Sequence, residues 1–226
     1  MARKPRLLDL FCGAGGAAVG YHRAGFDVVG VDLDDRQLEV YPFDCVKGDA
    51  LNPPVDLSQF DAIHASPPCQ RYSPATATTG DPSSHPDLVE PVRQLLAASG
   101  LPTIMENVPV APMRRDVTLC GSSFGLRVRR HRAFECGRWF AWGAPPCRHA
   151  HQRKAGPVVD VTGNAGGRNQ KLRDGFPIKY MDEAHAREVM GMPWATRHGC
   201  VEAIPPAYTE WLGEQLLEHV TVGCGA

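Results

Sequence analysis

Arg6-Leu7-Leu8-Asp9-Leu10-Phe11 reads as a short buried strand, and Cys12-Gly13-Ala14-Gly15-Gly16 follows it as a glycine-rich turn. Ala17 to Ala24 then has the spacing of a helix, closed by Gly25 at its C-cap. Phe26-Asp27-Val28-Val29-Gly30-Val31 is a second strand, and it ends at Asp32. Strand, glycine turn, helix and strand make a βαβ unit, the building block of a parallel sheet. Glycines let the backbone approach a ligand closely, and a carboxylate at the second strand's tip can take the hydroxyl pair of a ribose. The turn departs from the dinucleotide pattern GxGxxG, and no Gly-Lys-Ser/Thr is present to cradle phosphates. That favours a nucleoside ligand without a pyrophosphate.

Asp44-Cys45-Val46-Lys47-Gly48-Asp49 reads as a third strand ending in a second acid, which could accept a hydrogen bond from an adenine amino group. The run Phe60 to Ala65 is a fourth strand, and Ser66-Pro67-Pro68-Cys69-Gln70 follows it. Each proline fixes its own φ and pushes the residue before it towards an extended conformation. Cys69 is therefore expected at the tip of a stiff turn outside the strand's carboxyl end, where open α/β sheets bind ligands. Residues 71–85, rich in Ser, Thr, Pro and Gly, read as a lid over that thiol.

Asp87 to Ser99 has helical spacing with Asp87 as N-cap and Gly100 as the stop. Pro102 to Met105 is the next strand, and it delivers Glu106 to the same rim as Cys69. Arg127 to Glu135 alternates in part, so a strand is expected there with Arg130 and Arg132 on one face. Asp182 to Met190 and Pro206 to Val220 have helical spacing.

The chain has 226 residues, 43% of them hydrophobic, enough for one domain with a small appendage. No apolar run reaches the length of a membrane span, and no signal-peptide core is visible. A cytoplasmic protein is expected. Eight scattered cysteines without a CxxC pair are expected to be reduced. Cys136, Cys147, His149 and His151 lie close in sequence, but their spacing matches none of the common zinc signatures, so no metal is expected. Net charge is −1, yet residues 114–154 hold ten Lys or Arg against two acids. Such a stretch is either a solvated basic face or a surface for a polyanion, nucleic acid first among these.

Taken in order, these pieces resemble the DNA cytosine-5 methyltransferases. Asp9 to Gly16 looks like the family's S-adenosyl-L-methionine (AdoMet) loop, Pro67-Pro68-Cys69-Gln70 like its nucleophile motif, and Glu106-Asn107-Val108 like its Glu-Asn-Val motif. Arg130-His131-Arg132 looks like its Arg-x-Arg motif, and Glu188 to Trp194 and Ile204-Pro205-Pro206 resemble its two closing motifs. There are departures. Val128 stands where Gln is usual, Asp32 where Glu is common, Leu33 for an aromatic residue, and Val201-Glu202 for Gly-Asn. The short region after Arg132 resembles the compact, often phage-encoded members.

The resemblance implies a mostly parallel α/β sheet of the AdoMet-dependent methyltransferase (Rossmann-like) type, with helices on both faces and a small loop-rich target-recognition insert. It divides the chain into a catalytic domain (1–136), the insert (137–180) and a C-terminal segment (181–226) that returns to the catalytic domain. It implies AdoMet held by Phe11, Gly13, Ala14, Gly15, Gly16, Asp32, Leu33, Asp49, Ala50 and Pro68. Cys69 would be the nucleophile on C6 of a flipped-out cytosine, Glu106 would hold N3 and the amino group, and Arg132 would hold O2 with Arg130 beside it. The partner implied is double-stranded DNA, met by a monomer; whether a restriction nuclease accompanies it stays open. The insert's basic residues (Arg138, Arg148, Arg153, Lys154, Arg168, Lys171 and Arg173) would mostly hold phosphates, so a target of about two to four base pairs is expected. A carboxylated AdoMet donor, an RNA acceptor and a non-enzymatic DNA- or AdoMet-binding module are the alternatives. Adenine amino-methylation is disfavoured, because Ser66 and Cys69 occupy the places where that chemistry needs Asn or Asp and an aromatic.

Overall fold

A computed structural model describes residues 3–73, 76, 80–155, 158, 159, 161 and 182–222. Arg168, Lys171, Arg173, Cys224 and part of the expected lid lie outside the described residues. Seven strands form one sheet in the order β3-β2-β1-β4-β5-β7-β6. They are β1 (Arg6–Leu10), β2 (Asp27–Asp32), β3 (Asp44–Lys47), β4 (Ala62–Ala65), β5 (Thr103–Asn107), β6 (Val117–Leu119) and β7 (Arg132–Gly137). Strands β1 to β5 pair in parallel, and β7 runs antiparallel to both β5 and β6. The chain order reverses between β1 and β4, so a crevice opens at their carboxyl ends.

The sheet is apolar on both faces, as a mostly parallel sheet covered by helices requires. On one face Leu7, Ala62, Ile104 and Phe134 meet α1 (Gly16–Ala24) and the last helix, α7 (Pro206–Val222), through Tyr21, Tyr208 and Leu212. On the other face Leu8, Leu10, Ile63 and Met105 meet α3 (Val89–Ser99) through Val89, Val92 and Leu96. The remaining helices are α2 (Asp35–Leu38), α4 (His149–Lys154), α5 (Glu183–Met190) and α6 (Arg197–Glu202).

Helices α1 and α7 touch backbone to backbone. A Cβ at Gly20 would lie 2.1 Å from Thr209 Oγ1 and 2.2 Å from the Pro206 carbonyl oxygen. Thr209 Oγ1 donates to the Ala17 carbonyl at 2.8 Å across the same seam. The C-terminal helix therefore packs on the helix of the first βαβ unit.

Three local readings change. Helix α3 starts at Val89 with Leu88 as N-cap; Asp87 still accepts from the Val89 N–H at 3.3 Å, one residue further out. The expected strand from Arg127 begins only at Arg132, because Arg130 takes a left-handed φ of 34° that a strand cannot hold. The stretch from 136 to 180, read as a loop, contains the short helix α4. Among the described residues no helix is long and apolar enough to cross a membrane.

Candidate active site

A single cleft of about 1410 Å³ runs along the carboxyl rim, from the glycine turn past Cys69 to the start of β7. It is large for a small-molecule pocket, and has room for two ligands side by side. Its two halves differ in construction.

The first half is built on backbone. Phe11, at the end of β1, has φ 57°, a left-handed conformation rare for a bulky residue and typical of constrained sites. Asp32 Oδ2 accepts from the Gly13 N–H at 2.8 Å, and Oδ1 accepts from Asp34 N–H at 3.0 Å. A Cβ at Gly13 would meet no atom within 4 Å, so the turn's backbone is open to the cleft. Trp194 Nε1 donates to the Ala14 carbonyl at 2.8 Å, and Ala203 and Ile204 press on Gly16, so the C-terminal segment clamps the turn. Phe11, Gly13, Ala14, Gly16, Asp32, Leu33, Asp49, Ala50 and Pro68 all line the cleft. Gly15 does not. It N-caps α1 at φ 81°, and a Cβ there would run into Pro42 and Tyr41. An open glycine turn, a ribose-ready carboxylate and a second acid at Asp49 fit AdoMet.

The second half is built on buried charge. Because β7 is antiparallel to β5, its first residue reaches the carboxyl end of β5. Arg132 Nε thus lies 2.9 Å from Glu106 Oε1, with only 13% and 8% of the two side chains exposed. The guanidinium N–H is not aimed at that oxygen, which has no hydrogen-bond partner. Burial raises the Glu106 carboxyl pKa, and Arg132 and Arg130 partly oppose it. Burial also raises the Cys69 thiol; Arg132 and Arg130 pull it down, and the Glu106 charge pushes it up. The structure therefore brings Cys69, Glu106 and Arg132 into one electrostatic unit.

Arg130 is held differently from Arg132. Its guanidinium donates to the carbonyls of Val161 (2.8 Å) and Val201, and its Nε is buried without a partner. It lines the same cleft but grips the C-terminal segment. Below Cys69, Asn107 Nδ2 donates to the Pro67 carbonyl at 3.0 Å and locks the Pro-Pro turn onto β5.

Several residues in or behind the cleft were not among the expected site residues. His64, buried on β4, bonds Tyr21 Oη through Nδ1 at 2.9 Å and Ser66 Oγ through Nε2 at 2.7 Å. Burial lowers its pKa to about 3, so it is neutral and bridges two hydroxyls behind the Cys69 turn. Its place inside an apolar run hid it. Asp9 is fully buried, raised to about 8 mainly by desolvation, and its Oδ1 has no partner. Gln70, Glu202 and His198 also line the cleft, and Glu202 accepts from Gln37 Nε2 at 3.3 Å.

Residues 5–115 match the family model described as C-5 cytosine-specific DNA methylase. No curated protein matches the chain. Among solved structures, the methyltransferase EhMeth of Entamoeba histolytica superimposes with a TM-score of 0.61 at 14% identity, over 97% of this chain and 99% of its own. The Dnmt2 methyltransferase of S. pombe gives 0.58 at 13% identity, over 96% and 99%. DNMT2 of Spodoptera frugiperda gives 0.58 at 12%, over 94% and 99%. At such identities these structures speak for the fold alone. Residues 5–115, which include the glycine turn, Cys69 and Glu106, are thus similar to the C-5 cytosine-specific DNA methylase family.

Proposed function

We propose that the protein transfers a methyl group from AdoMet to C5 of cytosine in double-stranded DNA, through a covalent bond between Cys69 Sγ and C6. The observation that carries this is the grouping of Cys69, Glu106 and Arg132 on one wall of the cleft, with buried polar atoms of Glu106, Arg130 and Gln70 that no protein group satisfies. Buried polar atoms are costly unless paired, and a cytosine ring offers the missing partners.

Phe11, Gly13, Ala14, Gly16, Asp32, Leu33, Asp49, Ala50 and Pro68 would hold AdoMet, which supplies an electrophilic methyl. C5 of cytosine is a poor nucleophile until addition at C6 turns the intact ring into an enamine. Cys69 gives up its thiol proton to solvent water and its thiolate adds at C6, forming the C–S bond as the C5–C6 π bond breaks. Electron density moves into the ring, and Glu106, whose burial favours keeping its proton, would donate to N3. Arg132 would face O2, while Arg130 fixes the backbone that carries it. After C5 has been alkylated, loss of the C5 proton to a base expels the Cys69 thiolate, and N3 returns its proton to Glu106. Arg132 lowers the thiol's pKa while an ionised Glu106 raises it, so a neutral Glu106 is the state that favours attack.

The reacting atoms of a paired base are out of reach, so the base would flip into the cleft. Arg115, Arg127, Arg138, Arg148 and Lys154 are exposed and would meet phosphates. Residues 137–180 would form the short target-recognition insert and 181–222 the clamp on the glycine turn. Glu202 on the cleft wall disfavours a donor with an extra carboxylate. Mass spectrometry of nucleosides from DNA, and separately RNA, incubated with protein and AdoMet tests this. 5-Methylcytosine in DNA is expected; modification of RNA alone, or a carboxymethyl adduct, would overturn the substrate or the donor.

A further inference from the structure

Cys120, His131, Cys147 and His149 place two sulfurs and two imidazole nitrogens within 4.8 Å of one another. The first pair comes from the sheet. Leu119 of β6 pairs with Arg132 of β7, and the ladder continues so that Gly121 N–H donates to the Arg129 carbonyl at 2.8 Å. Cys120 and His131 therefore face each other just beyond the paired strands. The second pair comes from the turn into α4. Arg148 N–H donates to Ser122 Oγ at 3.1 Å, and Ser123 Oγ donates to the Pro146 carbonyl at 3.1 Å. Those bonds dock Cys147 and His149 against the first pair.

The distances suit one ion. Cys120 Sγ lies 3.3 Å from His149 Nε2, and Cys147 Sγ lies 3.4 Å from His131 Nε2. Zinc–sulfur bonds of about 2.3 Å and zinc–nitrogen bonds of about 2.0 Å give a tetrahedral sulfur–nitrogen edge of about 3.5 Å. The two imidazole rings stand edge to face, 5.2 Å apart, with both Nε2 atoms turned to the sulfurs. Cys136 and His151, which the spacing brings to mind, are not in the group.

We propose that these four side chains bind one Zn²⁺ ion as a closed, structural Cys₂His₂ site. Four protein ligands leave no open position for chemistry. Binding releases the two thiol protons to solvent, leaving two thiolates and two neutral imidazoles on the metal. The consequence lies next door. His131 stands between Arg130 and Arg132, so the ion fixes the backbone of that motif and ties it to the turn that opens the insert.

The test is metal analysis of the purified full-length protein under reducing conditions, with Co²⁺ as a spectroscopic substitute. One zinc per chain is expected, with Co²⁺ giving the sulfur-to-metal charge-transfer and d–d bands of a tetrahedral S₂N₂ site. Cys147 is exposed, so Cys147→Ser should fold, lose most of the zinc and lose the tetrahedral spectrum. Cys136→Ser should keep both. Zinc well below one per chain in wild-type protein loaded with excess Zn²⁺ and desalted would overturn the proposal. So would equal loss in Cys136→Ser, or a Cys120–Cys147 disulfide in protein kept under reductant.

Discussion

Asp32 at the tip of β2 and Glu106 at the tip of β5 are two acids on one rim with opposite surroundings. Asp32 is half-exposed, and each of its oxygens already accepts a backbone N–H. Glu106 is buried beside Arg132, and its Oε1 accepts none. Asp32 itself is satisfied without a ligand, whereas Glu106 and its neighbours Arg130 and Gln70 have buried polar atoms still to be matched. A preformed half suits a contact made equally in the ground and transition states, and an unmatched half suits charge that develops during reaction.

Substitutions should separate the two halves. The largest effect is expected for Cys69→Ser, with turnover down on the order of a thousandfold or more and AdoMet affinity nearly unchanged. Single-turnover kinetics with calorimetry measures both, and a serine variant near wild-type rate would end the covalent account. Next comes Glu106→Gln, which should lower the rate roughly 10²- to 10⁴-fold. Because burial raises the Glu106 pKa, its protonated form persists to higher pH than an ordinary carboxyl, and rate is lost as pH rises through that value. The glutamine variant should lack that fall on the alkaline side; an unchanged profile would assign it to another group.

On the other half, Asp32→Ala should weaken AdoMet binding about tenfold or more while kcat changes little. Asp32→Asn keeps one acceptor for the Gly13 N–H and should do less harm; equal damage would mean the loop contact is irrelevant. The smallest effect concerns Asp9. Its folded pKa of about 8 exceeds an unfolded value of about 3.8, so the folded state holds the extra proton between them. Stability is therefore full at low pH and falls as pH rises from about 4 to about 8. Asp9→Asn should flatten that decline in Tm measured across pH 5 to 8, and a slope unchanged from wild type would show that Asp9 ionises without penalty.

Much of this was legible in the sequence. The first βαβ unit, the Pro-Pro-Cys turn and the strand delivering Glu106 follow from local periodicity and from what proline permits. Residues that depend on partners remote in sequence were not. Arg130 looked like a strand residue paired with Arg132, but its guanidinium is anchored on Val161 and Val201, and its backbone turns left-handed. Gly15 looked like part of the ligand loop, yet it serves the packing of Tyr41 and Pro42. Cys120 meets His131 through the β6–β7 ladder, and Cys147 and His149 dock on that pair through Ser122 and Ser123, so short-range spacing pointed to Cys136 and His151 instead. Strand β6 was hidden for a similar reason: three residues carry too little pattern to stand apart from a loop.

The most direct test of the covalent account uses duplex DNA with 5-fluorocytosine in place of cytosine. Without a removable C5 proton the Cys69–C6 bond cannot be broken by elimination. Incubation with AdoMet should give a protein–DNA adduct that survives denaturation, with peptide mapping assigning it to Cys69. An adduct on another cysteine, or none from protein that methylates ordinary DNA, would contradict the account.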